Sequence, residues 1–108
     1  MQFGLSDNTV LAIQNVLKTH FEIQKVIIYG SRAKGNYKNG SDVDLVIIGP
    51  KLSVSELLQL ENELDELLLP YKFDLSLYHY IDNADLLDHI KRIGLVFYLP
   101  VWQAGAKC

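Results

Sequence analysis

A β-branched run, Lys25-Val26-Ile27-Ile28-Tyr29, stops at Gly30, and a second apolar run ending at Gly49-Pro50 begins a short loop later behind Ser41-Asp42. Each run reads as a short buried strand, and Gly30 permits the sharp turn that ends the first. The turn, Gly30-Ser31-Arg32-Ala33-Lys34-Gly35, is bounded by glycine at both ends, and the second strand opens on Ser41-Asp42-Val43-Asp44. A glycine-bounded turn can hold phosphate oxygens. Two carboxylates at alternate positions can hold the divalent cation that accompanies phosphate.

Helical and strand patterns alternate through the rest of the chain. Val10, Leu11, Ile13, Val16 and Leu17 recur at helical spacing through about His20, with Ser6 or Asn8 as the cap. Asn36 to Gly40 is a loop by composition, and Asp42 to Ile48 is the second strand. Ser53 with Glu56 predicts a capping box, after which Leu57, Leu60, Leu64, Leu67 and Leu68 line one side of a helix closed by Pro70. Lys72 to Tyr78 alternates as a third strand, with Phe73, Leu75 and Leu77 on one face and Asp74, Ser76 and Tyr78 on the other. Asn83 caps a last helix through about Arg92, and Gly94 separates it from a fourth strand, Leu95 to Leu99. The fold class expected is α/β (α+β), a small mixed sheet covered by helices.

A chain of 108 residues with 49% hydrophobic and 21% charged residues supports one globular domain, with its core at about residues 6–99. A net charge of -3 argues against a protein that coats nucleic acid. Cys108 is the single cysteine, which excludes an intrachain disulfide and points to a reducing, cytoplasmic setting. No stretch reads as a signal peptide or a membrane span. A homo-oligomer stays open.

The chemistry concentrates at the turn and the Asp-x-Asp pair. Asp42 and Asp44 project to the same face of a strand with Cα atoms about 6.5–7 Å apart. Repulsion between them raises their pKa values, and a bound cation removes that cost. Gly30 and Ser31 are the candidate phosphate ligands; Arg32 and Lys34 are supporting candidates that on a short surface helix are more often solvated. The segment lacks the terminal Lys-Ser/Thr of a P-loop and the middle glycine of a dinucleotide fingerprint. Asp74 is the one acidic residue in a strand otherwise built for burial, and it needs a cation or hydrogen bonds there. His20, His79 and His89 have no partner at metal-ligand spacing and read as structural or exposed.

Gly30-Ser31-Arg32-Ala33-Lys34-Gly35 followed by Ser41-Asp42-Val43-Asp44-Leu45 resembles the signature of the nucleotidyltransferase superfamily related to DNA polymerase β. The size points to its minimal nucleotidyltransferase branch. The resemblance implies the nucleotidyltransferase fold, with Asp74 as a third carboxylate completing a two-magnesium site with Asp42 and Asp44. It also implies ATP as substrate, with Gly30 and Ser31 on its β- and γ-phosphates. An acceptor hydroxyl would attack the α-phosphorus and pyrophosphate would leave. Minimal members of the family are frequently paired with an all-helical HEPN protein, so the resemblance implies an antitoxin that adenylylates a tyrosine of a HEPN toxin. The alternatives are a module that neutralises a partner by contact alone and a small-molecule nucleotidyltransferase.

Overall fold

The computed structural model describes residues 1–101. The expectation placed on Cys108 lies outside the described residues. Ser6 accepts from the Thr9 amide and starts helix α1 (Asp7–Lys18), so Ser6 and not Asn8 is the cap. Strand β1 (Lys25–Tyr29) leads through the one-turn helix α2 (Ser31–Lys34) to β2 (Val43–Ile48). Helix α3 (Val54–Asp65) follows behind the Ser53/Glu56 capping box, then β3 (Phe73–Leu77), a 3-10 turn over Tyr78–Tyr80, α4 (Ala84–Ile93) and β4 (Leu95–Tyr98).

The four strands form one sheet in the order β3-β2-β1-β4. β1 is antiparallel to both β2 and β4, whereas β2 and β3 are parallel because α3 carries the chain back between them. This is the small mixed sheet the sequence predicts. Side chains alternate across it and make two layers. Val26 and Ile28, Val43, Leu45 and Ile47, and Leu75 and Leu77 pack toward Val10, Ile13 and Leu17 of α1 and Leu60 and Leu64 of α3. The opposite face carries Tyr29 and Val46 beneath Ile90 of α4. A His20 to Glu63 bond of 2.5 Å ties α1 to α3.

Three expectations are corrected. The leucine stripe does not run to Leu68: α3 ends at Asp65, and Leu68 sits in a left-handed turn at φ 55° with 88% exposure. A helix cannot continue into Pro70, so the chain unwinds over the preceding residues. Tyr78 leaves the strand for the 3-10 turn and is four residues along the chain from Asp74, at the other end of β3. β3 is an edge strand, so Asp74 is exposed and lacks the buried setting expected for it. Among the described residues, no helix is long and apolar enough to cross a membrane.

Candidate active site

Strand register places two of the acidic residues side by side. Tyr29 of β1 pairs with Asp44 of β2, and Asp44 pairs with Asp74 of β3. Register partners point to the same face, so Asp44 and Asp74 stand on the α4 side of the sheet on strands about 4.8 Å apart. Asp42 lies just ahead of β2, exposed, and continues the alternation onto that face.

Gly30 joins this row to the turn. Its backbone, at φ 74° and ψ -155°, occupies a region open essentially to glycine alone. A Cβ at that position would overlap Oδ2 of Asp44, so the carboxylate fills the space the missing side chain leaves. Gly30→Ala is therefore expected to lower stability by about 1–3 kcal/mol through strain. It should also cut transfer on the order of 10²-fold by displacing Asp44. Thermal melts and a transfer assay on the one variant read both effects.

The electrostatics record the crowding. The Asp44 carboxyl is pushed above its usual range, first by burial, then by the charges of Asp74 and Asp42, against a smaller opposing effect of Arg32. Tyr29 is raised as well, by burial and then by Asp74, with Ser76 opposing and Asp44 adding. Excess negative charge against an apolar floor is what a cation relieves, and an all-carboxylate donor set suits a hard, oxygen-seeking ion such as magnesium. Register brings the carboxylates together without closing them into a cage: among the described residues, no group of three His, Cys, Asp or Glu side chains stands ready-made to hold a metal.

The basic residues of the turn separate. Lys34 is exposed, as expected for a solvated side chain. Arg32 is not: it is only 3% exposed, and its guanidinium donates to the Ser41 carbonyl through Nε at 3.0 Å and Nη2 at 2.9 Å, and to the Phe3 carbonyl at 2.9 Å. The rings of Tyr37 and Tyr71 lie 5.4 and 4.9 Å from its central carbon. The expectation of a solvated Arg32 is corrected, because backbone carbonyls and aromatic faces replace its water. Its visible task is to fix the segment that delivers Asp42. Ser31 is half-buried at the start of α2, where its carbonyl accepts from Gly35 at 2.9 Å. His89, read as structural or exposed, reaches the site from α4, with Nε2 accepting from the Gly30 amide at 3.2 Å. No spacing rule could have found it, since its partner is 59 residues away.

The sequence profile described as Polymerase beta, Nucleotidyltransferase matches residues 12–99. The chain belongs to this nucleotidyltransferase family. A provisionally named protein adenylyltransferase of Methanocaldococcus jannaschii is 34% identical over 71 residues, 65% of this chain and 71% of its own. Among solved structures, a toxin-antitoxin with AMP-PNP superposes with a TM-score of 0.69 at 18% identity, covering 91% of this chain and 77% of the other. A tri-AMPylated HEPN toxin of Shewanella oneidensis in complex with its MNT antitoxin gives a TM-score of 0.60 at 14% identity, over 91% and 78%. At these identities the structures bear on fold alone, and the fold they share is the nucleotidyltransferase one.

Proposed function

We propose that this nucleotidyltransferase moves AMP from ATP to a tyrosine hydroxyl of a helical HEPN-type partner and thereby acts as its antitoxin. The observation that carries the reading is the register pairing of Asp44 with Asp74 on one sheet face, two residues after Asp42 and with Asp44 against Gly30 of the turn. A protein adenylyltransferase relative and structural neighbours that are toxin-antitoxin complexes support the acceptor class. Asp42 and Asp44 would hold two magnesium ions, and Asp74 the one nearer the acceptor. When bound, magnesium neutralises phosphate charge and lowers the pKa of the attacking hydroxyl.

The chain's own residues do the rest. Gly30 and Ser31 hold the β- and γ-phosphates; Arg32 keeps the Asp42 segment in place. The tyrosine oxygen bonds to the α-phosphorus in line, the bond to the β-phosphate oxygen breaks, and pyrophosphate leaves. The tyrosine proton passes to a carboxylate oxygen of Asp74.

Incubation with magnesium and ATP labelled at either the α- or the γ-phosphate, together with the product of the neighbouring gene, tests this. Label should reach the partner from the α-position only, and only when its tyrosine is intact. Neutralisation of the partner without transfer of label would show a module that acts by contact.

A further inference from the structure

Gly30 is pinned on both sides of its Cα, through the two peptide planes that meet there. Its carbonyl accepts from Lys34 at 3.0 Å, inside the turn, and its amide donates to His89 Nε2 at 3.2 Å, across the sheet face. To accept, Nε2 carries no proton, so the imidazole proton resides on Nδ1. The ring stands edge-on to Tyr29 with centroids 6.0 Å apart. Helix α4 holds it there: Asn83 caps the helix by accepting from Leu86, and Ile90 is buried against Tyr29 and Val46. With Ile90 seated on the sheet, its neighbour His89 is presented to the end of β1.

We infer that His89 is a positioning residue for the triphosphate turn, a role that rests on the nucleotidyltransferase reading above. Its hydrogen bond to the Gly30 amide fixes the plane of the Tyr29–Gly30 peptide. That plane, through the positive φ of Gly30, sets the direction in which the chain leaves for Ser31 and whether Asp44 keeps its place over the glycine Cα. Removing the acceptor leaves a half-buried amide without a partner and frees the peptide to rotate. Triphosphate binding suffers, while the acceptor's own contacts do not.

The test compares wild type, His89→Leu, which lacks an acceptor, and His89→Gln, whose side-chain carbonyl restores one. Affinity for a non-hydrolysable ATP analogue with magnesium, the separate KM values for ATP and acceptor, and amide exchange at Gly30 are measured on each. His89→Leu should weaken the analogue about tenfold, with the KM for ATP rising in step and the acceptor KM unchanged. Gly30 exchange should quicken by about the same factor, and His89→Gln should stay within about threefold of wild type. His89→Asn, with a shorter reach, replaces His89→Leu should that variant not fold. Wild-type affinity in His89→Leu overturns the inference, and so does a His89→Gln as weak as His89→Leu. If wild type itself binds no nucleotide, the proposed function fails instead, and Gly30 exchange alone then decides: faster in His89→Leu supports the role of His89, unchanged overturns it.

Discussion

Metal-free Asp44→Asn protein is expected to melt a few degrees above wild type at pH 7 and to have lost transfer on the order of 10³-fold or more. The two effects share one cause. Asp44 is partly buried, pairs in register with Asp74, and carries a carboxyl held above its ordinary range by burial and then by Asp74 and Asp42. A carboxyl whose folded pKa exceeds its unfolded one stabilises the fold only while protonated. That contribution is present below the unfolded pKa and is lost as pH rises through the folded one. Above its folded pKa Asp44 is ionised and works against folding. Asparagine keeps the shape and drops the charge. The difference between the two melting temperatures should therefore shrink as pH falls through the folded pKa of Asp44, because the wild type regains what asparagine already has. Magnesium with ATP should raise the wild-type melting temperature and leave Asp44→Asn nearly unmoved. A variant that melts at or below wild type, or that still transfers, contradicts the role given to this carboxylate.

Arg32→Ala should destabilise the protein by about 3–5 kcal/mol, more than an ordinary surface substitution by an order of magnitude. The guanidinium is buried, makes three hydrogen bonds to two backbone carbonyls, and is flanked by the rings of Tyr37 and Tyr71. Its loss leaves Ser41 and Phe3 carbonyls without their donors and opens a cavity between two aromatic rings. Arg32→Lys keeps the charge but not the fork that grips Ser41 through two nitrogens, so it should recover only part of the loss. Urea unfolding midpoints, with the slope unchanged, measure both variants. An Arg32→Ala midpoint equal to wild type would show that the Ser41 segment holds itself.

These two residues mark where the sequence was readable and where it was not. Features set by neighbours in the chain were plain: the Ser53/Glu56 box, the Asn83 cap, the boundaries of β1, and the Asp42/Asp44 alternation follow from local preference. The mixed sheet follows from the alternating order of helices and strands along the chain. The burial of Arg32 is not legible locally, because its surroundings come from Phe3, Tyr37, Ser41 and Tyr71, and nothing in Ser31-Arg32-Ala33-Lys34 says those residues gather around it. The place of His89 is not legible locally either, because only packing of α4 on the sheet brings it to Gly30. Asp74 is legible through the resemblance, as the third carboxylate; the buried setting also expected for it is absent, and its place beside Asp44 comes from strand register.

The most direct test is anomalous diffraction from crystals grown with manganese and a non-hydrolysable ATP analogue. The account predicts manganese peaks between the carboxylates of Asp42, Asp44 and Asp74, with the β- and γ-phosphates against Gly30 and Ser31. Manganese bound elsewhere, or a triphosphate seated away from this turn with the carboxylates unliganded, would contradict it.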